Sequence, residues 1–237
     1  MIQRNLILYS CRQAKLAYGE TPKNGLALHD GQMRPRGFVL PGVNTAIVSF
    51  AGSESILDWL TDFTITHVPW YEFKVHNGFY GEFCKVIPQV MEILKVYPRT
   101  ADILVTGHSM GAALASLTSY YLARECDLPS TCITFESPRV GNCAWARSFK
   151  KYVPKSIRIQ HHDDLVCRVP KVGYCHVDRL IRINDNGKVI RCAGLLGLFE
   201  RLFEVGRSDL NFSVIDDHPI GNVLPAVELF AAKGGEV

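Results

Sequence analysis

The chain has 237 residues, of which 47% are apolar or aromatic and 21% charged, with 26 basic against 23 acidic side chains for a formal net charge of +3. A single hydrophobic core at this size buries roughly 70–75% of the surface the unfolded chain exposes, so neither a structural metal nor a disulfide framework is required and intrinsic disorder is excluded. The charge is too small and too dispersed for phosphate tracking along nucleic acid or for adhesion to an anionic membrane.

The longest apolar run, near residues 192–199, falls far short of the ~20 residues that span a bilayer, so no transmembrane segment is expected. Residues 6–9 are the only uninterrupted apolar stretch at the N-terminus, where a secretory signal needs roughly 7–15. The 8 cysteines show no Cys-x-x-Cys pair, no regular framework and no metal-site spacing. Reduced thiols and an intracellular, cytoplasmic location are therefore expected, with an even count leaving bridges open.

Residues 2–18 place Leu6, Ala14, Leu16, Ala17 and Tyr18 in a helical rhythm that Gly19 ends. Residues 37–50 read as two strands around the Pro41-Gly42 turn, the second, 45–50, apolar enough to be central. From 77 to 97 the apolar residues Phe79, Phe83, Val86, Ile87, Val90, Ile93, Leu94 and Tyr97 have helical spacing, with Pro88 a candidate kink.

Then strand-like and helical stretches alternate: DILVTG, MGAALASLTSYYLARE, TCITFESP, GNCAWARSFKKY and SIRIQH. Short apolar strands alternating with helices predict an α/β fold with a mainly parallel central sheet and helices on both faces. Residues 179–183 and 188–192 flank Asn184-Asp185-Asn186-Gly187 and predict an added antiparallel edge. Residues 218–232 close the chain as a helix. No repeat, linker or shift in composition divides it, and one domain over 1–237 is expected.

Gly107-His108-Ser109-Met110-Gly111 is a Gly-x-Ser-x-Gly string, a weak signal alone. Here it follows a predicted strand and opens a small-residue helix, the setting of a nucleophile elbow that exposes a serine at the rim of a sheet. A serine hydroxyl needs a histidine base and a carboxylate to orient it, in the chain order serine, acid, histidine. The candidates are Asp163 and Asp164, just past the strand 156–160, and His218 before the last helix. On these residues alone either aspartate can serve. The Met110 N–H, at the helix N-terminus, lies where an oxyanion develops. His161 and His162 beside the two aspartates have metal-binding chemistry, but no second cluster at ligand spacing accompanies them; no metal and no cofactor is expected.

Several ordered motifs together resemble the class 3 lipases, the fungal-type triacylglycerol lipase family of the α/β-hydrolase superfamily. FAGSESILDWLTD is similar to the family's F-R-G-[ST] oxyanion segment with its following S-x-x-[DN]-W-x-x-D. VHNGFY, GHSMGAALA, ESPRVGN, DLVCRVP and DDHPIGNVL match later blocks in order. The resemblance implies Ser109 as nucleophile, Asp164 as acid, His218 as base, and Ser53 with Met110 as oxyanion hole. It places a lid over 54–63, with Ile56, Leu57, Trp59 and Leu60 on one side of a helix; the alternative is that these side chains fill core. It implies a lipid ester as partner, with transient contact to a lipid surface, and leaves the oligomeric state open. His76, His108 and His176 fall in structural blocks of the family.

The chain departs from the family at three points. Ala51 stands for the Arg of F-R-G, Glu136 for a frequent Gly, and Cys167 for a Pro. The function implied is hydrolysis of acylglycerols or other lipid esters through an acyl-enzyme. Phospholipase A1, or an esterase of small or aromatic acids, is the alternative with the same triad, and a non-catalytic lipid-binding scaffold the alternative of another class.

Overall fold

The computed structural model describes residues 1–53, 66–177, 179–190 and 218–237. The expected lid at 54–63, with Ile56, Leu57, Trp59 and Leu60, lies outside the described residues. Seven strands form one sheet in the order β1 (Leu26–His29), β2 (Pro35–Pro41), β3 (Thr45–Phe50), β6 (Asp102–His108), β7 (Ser130–Phe135), β8 (Ser156–His161), β9 (Leu180–Ile183). The first three pair antiparallel and the rest parallel, so β3 is central as its composition predicted. Among the described residues, five helices pack on it: α1 (Arg4–Leu16), α2 (Asn77–Leu94), α3 (Met110–Glu125), α4 (Cys143–Tyr152) and α5 (Ile220–Ala232).

The alternation of strand side chains divides the core in two. Ile103 and Val105 of β6 join one apolar cluster with Phe79, Leu114 and Trp145 from α2, α3 and α4. Leu104 faces the other, with Ile7, Cys11 and Ala14 of α1 and Val227 and Phe230 of α5. Each fully buried Ile or Phe stabilises the fold by about 1.5–3 kcal/mol relative to exposure. Helix α3 is buried along most of its surface, and its Ala112, Ala113, Ala115 and Ser116 let it lie close on the sheet.

The segment 179–192 reverses at the expected turn, with the Gly187 N–H on the Asn184 carbonyl, and its described return leg meets β9 antiparallel through the bridge Ile183–Val189 and the Ile190 N–H to the Arg182 carbonyl, while β9 itself runs parallel to β8. The expectation of reduced thiols is corrected. Cys143, at the start of α4, is disulfide-bonded to Cys175, 32 residues along the chain, and loop closure of that length stabilises by about 3.7 kcal/mol. Cys11, Cys84, Cys126 and Cys167 are not disulfide-bonded.

Strands β4 (His67–Trp70) and β5 (Phe73–His76) form a separate hairpin not anticipated from sequence. Its two-residue turn, Tyr71-Glu72, lacks the usual glycine or asparagine, and Tyr71 takes φ 53°. The Trp70 ring, among Phe73, Phe83, Tyr120 and Trp145, repays that conformation with aromatic burial. No helix among the described residues is long and apolar enough to cross a membrane.

Candidate active site

Ser109 sits between β6 and α3 at φ 59°, ψ −127°, a left-handed conformation that a β-carbon disfavours. Its N–H donates to the Phe135 carbonyl, and its own carbonyl accepts from the Ala112 N–H, so the neighbouring strand β7 and helix α3 hold the turn. The glycines at 107 and 111 are required by space. A Cβ on Gly107 would lie 2.3 Å from the Gly111 oxygen, and one on Gly111 2.4 Å from the Phe50 oxygen. This is the sharp strand-to-helix turn that the motif predicts.

Across the sheet rim, the His218 Nδ1–H donates to Asp164 Oδ2 at 2.5 Å. Asp164 is fully buried, and its Oδ1 accepts from the Val166 N–H at 2.9 Å. Burial alone would raise its pKa, but the hydrogen bonds from His218 and Val166 hold it below the ordinary carboxylate value. Asp163 points outward and pairs with Arg168 and Arg182. The neighbouring aspartates, equal on residue type, are thus separated by their partners. Among the described residues the other imidazole nitrogen, His218 Nε2, is buried with no hydrogen-bond partner, so the arrangement leaves a proton acceptor open.

His218 is brought to the elbow by His108. The two rings are 4.7 Å apart, and His108 Nε2–H donates to the His218 carbonyl at 2.8 Å. Because a carbonyl only accepts, Nδ1 carries no proton and accepts from the Tyr18 hydroxyl at 2.6 Å. Burial, then the neighbouring His218, pushes the His108 pKa down to about 3. Burial likewise raises the Tyr18 phenol, against the opposing effect of a hydrogen bond with the Gly52 backbone. The Tyr18 oxygen therefore ties the segment at Gly52 to the elbow at His108, and His108 in turn holds the loop carrying His218. With the Ala51 N–H on the Arg36 carbonyl, this accounts for how the segment is anchored without the arginine that Ala51 replaces. Tyr18 and His108 were read from sequence as helix and structural-block residues; only their spacing across the fold reveals the link.

The neutral His108 carries a pH dependence. Its folded value lies below the ordinary 6.5, so the stability it contributes is fully present above pH 6.5 and is lost as pH falls toward 3. Between pH 6.5 and 5 the wild type should lose about 2 kcal/mol more than His108→Gln, measured by urea unfolding; parallel curves for the two would show that the imidazole is not held neutral.

Ser53 follows Gly52, a residue against the elbow: a Cβ there would meet the Tyr18 hydroxyl at 2.1 Å and Ser109 Cβ at 3.0 Å. Met110 opens α3 directly after the serine. Both expected oxyanion donors thus belong to segments that flank Ser109. The histidines read as structural behave so. His76 caps α2 through the Gly78 N–H, and His176 Nε2 donates to the Cys167 carbonyl. His161 and His162 turn not to Asp163 or Asp164 but to Asp185, at 3.0 and 2.9 Å.

The family profile described as Lipase (class 3) matches residues 47–174. The lipase of Rhizomucor miehei is 34% identical over 155 residues, covering 60% of this chain and 42% of that protein. A secreted mono- and diacylglycerol lipase of Fusarium solani is 32% identical over 138 residues, covering 55% and 41%. The chain spans less than half the length of these curated relatives. A lipase structure from Rhizopus microsporus var. chinensis superposes with a TM-score of 0.63 at 26% identity, over 76% of this chain and 72% of that one. A triacylglycerol lipase structure covers 92% of this chain and 91% of its own at a TM-score of 0.68 and 23% identity, a likeness of fold. The expected intracellular location does not stand: the Cys143–Cys175 bond forms in oxidising surroundings, and similar proteins are named as secreted.

Proposed function

The chain belongs to the class 3 lipase family, and from that premise we propose that it is a serine carboxylic ester hydrolase acting on acylglycerols or related lipid esters. The observation that carries the reading is the buried Asp164–His218 pair, tied through His108 to the strained elbow on which Ser109 stands. Ser109 Oγ attacks the ester carbonyl as His218 Nε2 takes its proton. The N–H groups of Ser53 and Met110 receive the negative charge on the tetrahedral oxygen, each worth ~3–4 kcal/mol in the transition state. His218 returns the proton to the leaving alkoxide, and the acyl group stays on Ser109. Water, deprotonated by the same nitrogen, then releases the acid. Asp164 keeps the proton on Nδ1 and offsets the imidazolium charge.

Phospholipase A1 activity is a second reading, favoured by matches to the Arabidopsis thaliana chloroplastic phospholipase A(1) DAD1 at 28% identity and to rice phospholipase A1-II 1 at 27%. The deciding experiment compares 4-nitrophenyl esters of increasing chain length, emulsified acylglycerol and phosphatidylcholine vesicles, with Ser109→Ala as control. The lead reading expects serine-dependent release of fatty acid from acylglycerol exceeding that from phosphatidylcholine. The reverse order selects the phospholipase. Lack of turnover on every ester by the folded wild type points to the non-catalytic scaffold.

A further inference from the structure

Two of the residues that depart from the family pattern meet behind the acid. Glu136, at the end of β7, is fully buried at φ 47°, a conformation suited to the glycine it replaces. Its Oε1 accepts from the His161 N–H at 2.5 Å, and its Oε2 accepts from the Cys167 thiol at 3.2 Å. The Asp164 carboxylate is its third polar neighbour. Glu136, Asp164 and Cys167 are all buried, with their oxygen and sulfur atoms within 4.8 Å of one another.

Two carboxyl groups this close cannot both ionise in a site closed to water. Asp164 is the better anion, since it accepts from the His218 Nδ1–H and the Val166 N–H. Glu136 has one backbone donor and a weakly donating thiol. Among the described residues, the Cys11 thiol of α1 also lies near it and adds no positive charge. Arg158 of β8 acts on the neighbouring Cys167, with its Nε–H on the Val177 carbonyl. Burial first, and then the charge of Asp164, drives Glu136 well above the ordinary glutamate value.

We propose that Glu136 is a positioning residue for the ester-hydrolase site: a neutral carboxylic acid that donates its proton to Asp164 and holds that carboxylate toward His218. Asp164 then accepts from backbone, imidazole and carboxylic acid together, which fixes its rotamer and keeps it ionised as His218 cycles through its charged form. Cys167, where the family carries proline, adds a thiol that donates to the same glutamate. This inference rests on the Ser109–His218–Asp164 reading for its catalytic consequence, but the proton on the carboxyl pair is independent of it.

The test uses Glu136→Gln, which keeps a donor without a titrating proton, and Glu136→Gly, which removes the donor and suits the backbone. Unfolding is followed from pH 4.5 to 7 in the wild type and in Glu136→Gln, each also carrying Ser109→Ala so that turnover plays no part. A native proton that the unfolded chain releases makes the wild-type unfolding constant rise, relative to the Gln variant, about tenfold per pH unit above the ordinary glutamate range. A flat ratio overturns the proposal. With 4-nitrophenyl butyrate, Glu136→Gly should lose about tenfold in kcat at unchanged KM, and Glu136→Gln should recover most of it with the acid limb of the pH profile in place. An acid limb moved to lower pH in Glu136→Gln would mean that a negative charge was removed from beside the base, and equal kcat in wild type and Gly variant would mean that no donor is needed; either result rejects the role. If the unfolding ratio behaves as expected while Ser109→Ala hydrolyses the ester like wild type, the shared proton stands and the triad reading fails.

Discussion

Ser109→Ala is expected to lower kcat/KM for a 4-nitrophenyl ester by about 10⁴–10⁶-fold, His218→Ala by a similar factor, and the double variant by little more than either. The reason is that the two residues act in one step. Without the hydroxyl no acyl-enzyme forms, and without Nε2 the hydroxyl keeps its proton, so removing the second partner takes away nothing that still functions. The geometry makes this prediction sharp. Among the described residues, His218 has one nitrogen on Asp164 and the other buried and unpaired, which leaves it one chemical task. Residual rate in the variants would come from the oxyanion donors and binding. Steady-state kinetics on the three variants, with circular dichroism to establish folding, decide the matter. Multiplicative losses would mean that Ser109 and His218 work independently, and a small loss for either would remove it from the mechanism.

The second large effect concerns a residue that touches no substrate. Gly111→Ala places a Cβ 2.4 Å from the Phe50 oxygen and 2.7 Å from the Ala51 oxygen, both backbone atoms with nowhere to rotate. Either the end of β3 or the first turn of α3 must move. The oxyanion segment continues directly from Phe50 and Ala51 to Ser53, so the same displacement that relieves the clash spoils the donor geometry. We expect about 3 kcal/mol of lost stability and a ~10²–10³-fold fall in kcat, the size of a lost oxyanion donor. Gly81→Ala is the matched control. Gly81 lies within α2, where an added Cβ would meet nothing within 4 Å, and the change should raise stability by about 0.5–1 kcal/mol with kcat untouched. Urea unfolding and kinetics on both variants check the pair; a stable, active Gly111→Ala would show that the elbow does not constrain the oxyanion segment.

The elements most legible beforehand were those whose demands are local. Helix α3 is found at Met110–Glu125 as its residue string indicated, and β3 and β8 match their predicted bounds. The elbow is legible for the same reason, because its glycines answer to neighbours a few residues away. The β4–β5 hairpin was not, since its turn uses Tyr71 and Glu72 and is stabilised by rings from α2, α3 and α4. The turn after β9 was legible, but the parallel pairing of β9 with β8 was not: a turn reports that the chain reverses, not which strand lies alongside.

The residues themselves decided that a serine stands at a tight strand-to-helix turn between alternating apolar strands and helices, because period and sterics act over a few positions. Tertiary structure alone decided that Tyr18 bridges Gly52 and His108, that Cys143 finds Cys175, and that Glu136 and Cys167 close behind the acid. Each of those depends on which distant segments the sheet order brings together, and on whether water or protein then surrounds an ionisable group. Neither quantity is encoded in the spacing of residues along the chain.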